Sequence, residues 1–206
     1  MATERRALLV LGMHRSGTSA LTRVLNFHGA ALPATLLPAN SGNETGYWES
    51  PAVNHFHDEI LGAWGSPWDD PLWFSRGALP AETMRGHAAR LAALIATEFG
   101  DASLIVVKDP RLCRLLSLWQ QALALLEIQP YAVIMVRHPM ESAASMRRRD
   151  AMPEGVGLLL WLQYVLAAEE GSRRLPRATL FFDQLLADPA GEIGRASCRE
   201  RVSYSV

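Results

Sequence analysis

Apolar residues along the chain fall into two kinds of run, and their alternation predicts the fold. Ala7-Leu-Leu-Val-Leu11, Leu104-Ile-Val-Val107 and Ala132-Val-Ile-Met-Val136 are short and continuous, as in strands buried on both faces of a parallel sheet. Ala178-Thr-Leu-Phe-Phe182 reads as a fourth strand. Between these runs, apolar positions recur at helical spacing. One such set is Leu21, Val24, Leu25 and His28. A second is Met84, Ala88, Leu91, Leu94 and Ile95, opened by Pro80 and ending at Gly100. A third is Leu112, Leu115, Leu116, Trp119, Leu123 and Leu126, and further helices are expected from Pro139 to Arg149 and from Val156 to Arg173. Strands alternating with helices predict an α/β domain with a central parallel sheet covered on both faces. Ligands then bind beyond the carboxyl ends of the strands. Three strands end in charged turns there, His14-Arg15, Lys108-Asp109-Arg111 and Arg137-His138, which are expected to converge on one crevice.

Two segments break the pattern. Residues 29–80 are irregular, with a short helix expected near Val53 to Leu61, and hold four of the six tryptophans (Trp48, Trp64, Trp68, Trp73). Such an insert is either an acceptor-side lid or a poorly hydrogen-bonded segment pinned by aromatic core filler. The last 16 residues, Gly191 to Val206, lose all periodicity and are dominated by Arg and Ser. They are expected to be a disordered tail, either natural or foreign sequence after a disrupted reading frame.

The stretch Gly12-Met-His-Arg-Ser-Gly-Thr-Ser19 joins the first strand to the first helix. That layout aims backbone N–H groups and a helix N-terminus at an anion. Its Gly-x4-Gly spacing matches a Walker A loop, but Thr18 stands where the phosphate-binding lysine belongs. A cation lies inside the loop instead, at Arg15.

Composition narrows the partners. A net charge of −1 argues against a nucleic-acid binder, so any anion site is local. The 206 residues suit one domain. Cys113 and Cys198 form no metal-ligand or disulfide pattern. The run after Arg5-Arg6 is too short for a signal peptide, and Val156 to Ala168, interrupted by Gln163, is too short to span a membrane. The expectation is a soluble cytoplasmic protein, with a homodimer left open.

Four motifs in order carry a resemblance: Gly12-Met-His-Arg-Ser-Gly-Thr-Ser-Ala-Leu21, Lys108-Asp-Pro-Arg111, Val136-Arg-His-Pro-x5-Ser145 and Phe182-Asp-Gln-Leu-Leu-Ala-Asp-Pro189. Over residues 6–189 the chain resembles bacterial sulfotransferases that use 3′-phosphoadenosine 5′-phosphosulfate (PAPS). The resemblance implies a P-loop NTPase-like, three-layer α/β/α domain over residues 1–190. It implies PAPS as donor, 3′,5′-ADP as product and no required metal, with a small molecule or glycan as acceptor. His14, Arg15, Ser16, Gly17, Thr18 and Ser19 would hold the 5′-phosphosulfate, with Arg15 beside the sulfuryl group. Arg137 and Ser145 would hold the 3′-phosphate, the group that distinguishes this donor from ATP. Phe182 stands where many relatives have a tyrosine near the adenine. Such relatives continue past Pro189 with residues that close over the donor.

Lys108 matches a catalytic lysine of cytosolic relatives, but the histidine that follows it there is absent. The resemblance therefore leaves the general base between Asp109 and Glu49, with His55, His57 and Asp58 as outsiders. Asp109 could equally start a helix as its N-cap. Two other functions fit a P-loop architecture. One is a small-molecule or nucleoside kinase, disfavoured by Thr18 and by the lack of a clear Walker B aspartate; the other is a degenerate nucleotide-binding module. Arg147-Arg148-Arg149 reads as a solvated helix end.

Overall fold

The computed structural model describes residues 4–40, 42–73 and 81–194. The expected helix start at Pro80, Cys198 and the tail from 195 onward lie outside the described residues. The chain runs β1 (Arg5–Leu11), α1 (Thr18–Phe27), α2 (Pro51–Ala63), α3 (Ala81–Phe99), β2 (Leu104–Lys108), α4 (Leu112–Leu125), β3 (Ile128–Val136), α5 (Pro139–Asp150), α6 (Glu154–Gly171), β4 (Arg177–Phe181) and α7 (Phe182–Ala187). The four strands form one parallel sheet in the order β2-β1-β3-β4. This is the expected α/β, P-loop NTPase-like arrangement.

The alternation of side chains along β1 sorts the helices into two layers. Ala7, Leu9 and Leu11 pack with Ile60, Leu91, Leu116, Trp119 and Tyr164, from α2, α3, α4 and α6. Val10, together with Val106, Val133 and Met135, packs on the other face with Leu21 and Leu25 of α1. The chain passes to β2 on one side of β1 and to β3 on the other, so the crevice of the sheet opens at the carboxyl end of β1.

Three boundaries differ from expectation for identifiable reasons. β3 begins at Ile128, through Pro130, because β4 pairs only from Ala132 onward. At Pro130 the strand has a neighbour on one side alone, the setting in which proline is tolerated. Phe182 leaves β4 and opens α7. Residues 189–194 are helical and bury Ile193 in the second cluster, so regular structure continues past the expected break at Gly191 to the last described residue.

The tryptophans of the insert do not act together. Trp73 is buried, Trp64 packs against the main core, and Arg23 lies 4.7 Å from the Trp48 ring. α6 tethers the stretch around Trp68: the Tyr164 hydroxyl donates to the Trp68 carbonyl (2.7 Å) and Gln163 to that of Pro71 (2.6 Å). Gln163, which interrupts the apolar run in sequence, is thus a buried anchor. Among the described residues no helix is long and apolar enough to cross a membrane.

Gly12 fixes the exit from β1. Its φ of 151° is one that side-chain-bearing residues rarely adopt, and a Cβ there would stand 2.7 Å from the Met135 carbonyl oxygen. Because that obstacle is backbone in a neighbouring strand, it cannot swing aside. Gly12→Ala is expected to lower unfolding free energy by more than about 1 kcal/mol in urea denaturation; an unchanged midpoint would contradict this packing.

Candidate active site

Past Gly12 the chain turns through two more left-handed residues, Arg15 (φ 65°) and Gly17 (φ 91°). α1 then starts at Thr18 with no side-chain cap and no acidic residue in its first turn. The N–H groups at its start are therefore open to an outside anion, and the helix dipole favours one. A Cβ on Gly17 would meet the Phe182 ring at 2.1 Å, so that ring lies against the loop. Phe182 also carries Arg137, whose guanidinium sits 4.6 Å from the ring centre. The Gly12 N–H donates to the buried thiol of Cys113 (3.2 Å), whose pKa burial pushes up to about 12.

A cleft of about 500 Å³ opens over this loop. His14, Arg15, Gly17, Thr18, Ser19, Glu49, Lys108, Arg137 and Phe182 all line it. The three charged strand ends thus converge as the sequence predicts. Ser16, Asp109 and Ser145 are buried beneath the lining. The Ser16 hydroxyl has no partner among the described residues. Ser145 does not meet Arg137 directly: its hydroxyl accepts from Arg15 Nε (2.9 Å), while an Arg137 N–H donates to the Arg15 carbonyl (3.2 Å). Arg15 also donates to the Gly42 carbonyl (2.8 Å).

Lys108, at the end of β2, is the hub of the cleft floor. Its ammonium donates to Ser19 Oγ (3.2 Å), to the Tyr47 carbonyl (3.1 Å) and to the Glu49 carboxylate. Ser19 Oγ also accepts from Asn43 (3.3 Å). With two donors already aimed at it, its own proton is left for an acceptor in the cleft. Burial raises the pKa of Glu49, Lys108 opposes the rise and Asp109 adds to it; the balance stays above the usual carboxylate value. Glu49 is thus a cleft-lining carboxylate whose basicity is increased.

Asp109 has the opposite character. His57 donates to it from Nδ1 (2.9 Å), and Arg111 donates from its backbone (2.9 Å) and guanidinium (3.1 Å). The indole N–H of Trp119 points at His57 Nε2 (2.8 Å), so Nε2 is the acceptor and the ring proton is on Nδ1. Burial alone would raise the Asp109 pKa. His57 and Arg111 overcome that and hold it far below the usual range. A buried carboxylate that holds four N–H groups is a poor proton acceptor; its backbone bond to Arg111 instead shapes the turn into α4. His55 is exposed, and Asp58 is bound to Arg111 (2.7 Å).

Asn54 and Arg149 are among the cleft residues that the sequence does not single out. Asn54 donates to both Glu49 (2.8 Å) and Asp109 (3.3 Å), linking the two carboxylates. Its signal was the spacing of Asn54, His57 and Asp58 at i, i+3 and i+4 on one side of α2. Arg149 also lines the cleft, whereas Arg147 and Arg148 are exposed as expected. It stands four residues after Ser145, on the same face of α5. His14 lies tilted against Trp68, the one insert tryptophan that lines the cleft, with ring centres 4.4 Å apart. Burial first, then Arg111 and Arg149, hold the His14 pKa well below its ordinary value.

No protein-family model matches the sequence, and neither does any curated protein. Solved structures do match. The sulfotransferase domain of the Synechococcus PCC 7002 olefin synthase superposes with a TM-score of 0.54 at 17% identity, over 96% of this chain and 74% of that one. The sulfotransferase domain of the curacin biosynthetic pathway gives a TM-score of 0.53 at 14% identity, over 95% and 73%. The chain has the sulfotransferase fold. At this identity the likeness is one of architecture, and the chemistry has to be argued from the cleft.

The two carboxylates separate by experiment. Asp109→Asn leaves the Arg111 and His57 donors short of an anion and is expected to cost about 3 kcal/mol in urea denaturation. It should also flatten the acid limb of stability. Because the native pKa of Asp109 is depressed, its contribution is present above the ordinary Asp value of about 3.9 and is lost as pH falls below it. An acid limb unchanged in the variant would contradict the assignment.

Proposed function

We propose that the chain transfers a sulfuryl group from PAPS to a hydroxyl or amine acceptor. The observation that carries this reading is the joining of Lys108, Glu49 and Ser19 into one hydrogen-bonded cluster beside an uncapped anion loop. The sulfotransferase fold supports it, and so does Thr18 in the place of the Walker lysine, which weakens a kinase reading.

The residues present fit the donor. The open N–H groups at the start of α1 and the hydroxyls of Thr18 and Ser19 hold the 5′-phosphate. The orphaned Ser16 hydroxyl lies just beneath them. Arg137 takes the 3′-phosphate with Ser145, and Phe182 offers a flat apolar face next to it. The donor supplies the sulfuryl group: its bond from sulfur to the bridging oxygen breaks, a bond from sulfur to the acceptor forms, and 3′,5′-ADP is the leaving group. Arg15 and Lys108 stabilise the charge that grows on the bridging and sulfuryl oxygens, an interaction stronger in the transition state than before it. Glu49 takes the acceptor's proton. Its raised pKa suits that role, and Asn54 and Lys108 hold the carboxylate in place.

Two variants test separate parts. Arg137→Ala is expected to weaken 3′,5′-ADP about 10- to 100-fold by calorimetry while leaving 5′-AMP nearly unchanged, since only the former carries the 3′-phosphate. Equal losses would remove Arg137 from that role. Glu49→Gln is expected to lower kcat for transfer of radiolabelled sulfate from PAPS by about 10²- to 10⁴-fold with donor affinity retained. Full turnover in the variant would exclude Glu49 as the base.

A further inference from the structure

Among the described residues, the cleft holds one incompletely paired cation that the donor chemistry does not use. Arg111 lines it, but its Nε and one NH2 group are bound to Asp58 and the other to Asp109, so the guanidinium is committed. Arg15, Lys108 and Arg137 belong to the donor in the reading above. Arg149 remains. Its Nε and one NH2 group engage only the neighbouring Asp150 (2.8 and 2.7 Å). Its other NH2 group has no partner among the described residues.

The surroundings of Arg149 define a small subsite. Its guanidinium lies 5.8 Å from the ring centre of Trp68, which in turn lies tilted against His14. The Nε2 of His14 is buried without a hydrogen-bond partner among the described residues. Asn54 and Glu49 line the same cleft. An aromatic wall, an orphaned imidazole nitrogen and a half-committed guanidinium therefore line the same cleft as the base. Arg149 also crowds Arg15, whose pKa is lowered first by burial and then by Arg149. Asp150 offsets only part of this repulsion, since the Arg15 pKa stays lowered, and a further anion would relieve the rest.

Resting on the sulfotransferase reading, we infer that Arg149, Trp68 and His14 form the acceptor subsite and that the acceptor is a hydroxy compound bearing a carboxylate. Arg149 pairs with the carboxylate through its free N–H groups, Trp68 and His14 cover the acceptor's carbon frame, and the hydroxyl is left toward Glu49. Asp150 already neutralises part of the guanidinium, and Glu49 is spent on Lys108. That balance suits one negative charge on the acceptor and disfavours a phosphate dianion.

The test measures binding to the protein loaded with 3′,5′-ADP, by calorimetry, and so needs no turnover. The probes are 3-(4-hydroxyphenyl)propanoate and 3-hydroxybutanoate, each beside its neutral amide. At least one acid is expected to bind about tenfold more tightly than its amide. Arg149→Gln is expected to abolish that preference while leaving 3′,5′-ADP affinity unchanged, and Arg149→Lys to restore part of it. Amides that bind as well as the acids, or no binding by any probe, would overturn the carboxylate subsite while the sulfotransferase reading stands. Loss of 3′,5′-ADP affinity in Arg149→Gln would assign Arg149 to the donor and overturn it as well. If 3′,5′-ADP fails to bind the wild type, the sulfotransferase reading itself falls, and this inference with it.

Discussion

A buried ammonium has to be neutralised, and much of this molecule is arranged around that requirement at Lys108. The side chain leaves the end of β2 at 4% exposure and pairs with Glu49, itself 6% exposed. Neither group could be buried alone without shifting to its neutral form. The pair ties the irregular segment before α2 to the end of the sheet. Through Asn54 it is joined to a second buried charge, Asp109, which is satisfied by His57 and Arg111. Trp119, deep in α4, supplies the last donor of that chain. The network runs from the cleft floor into the core, so the site and the packing of α2 on α4 are one structure.

The two carboxylates show how environment divides one functional group into two roles. Glu49 faces the cleft with one strong cationic partner and a raised pKa; Asp109 sits beneath it with four donors and a depressed one. The first is suited to exchanging a proton, the second to holding neighbours in place. The loop follows similar logic. Thr18 replaces the Walker lysine, and the cation appears at Arg15, in a left-handed turn between Gly12 and Gly17. The residues around the loop leave the start of α1 uncapped, so backbone geometry as well as charge favours an anion there.

What was legible in the sequence was local. The strand runs, the loop and the charged strand ends are short-range patterns, and all three charged turns meet as expected. The start of β3 at Ile128, with Pro130 inside it, was not legible because whether a proline is tolerated depends on which stretch of a strand lacks a neighbour, a fact of register and not of composition. The ranking of Glu49 over Asp109 was equally out of reach, since it rests on Asn54, His57, Arg111 and Lys108 arriving from three elements. Arg149 looked like a solvated helix end beside Arg147 and Arg148. Only its spacing from Ser145 hinted that it shares the inward face of α5. Whether the insert tryptophans form a lid or fill the core was open in the sequence; Trp64, Trp68 and Trp73 sit on or beside the main core, and Trp68 alone also reaches the cleft.

The central claim is that the loop serves a phosphosulfate donor and not a nucleoside triphosphate. Thermal denaturation of the unmodified chain with each nucleotide tests it directly, because ligand binding to the native state raises the midpoint by an amount that grows with the logarithm of concentration over Kd. The account predicts a clear rise with 3′,5′-ADP in the presence of a chelator, and little or none with ATP and magnesium at the same concentration. A rise with ATP and magnesium that exceeds the rise with 3′,5′-ADP would contradict it.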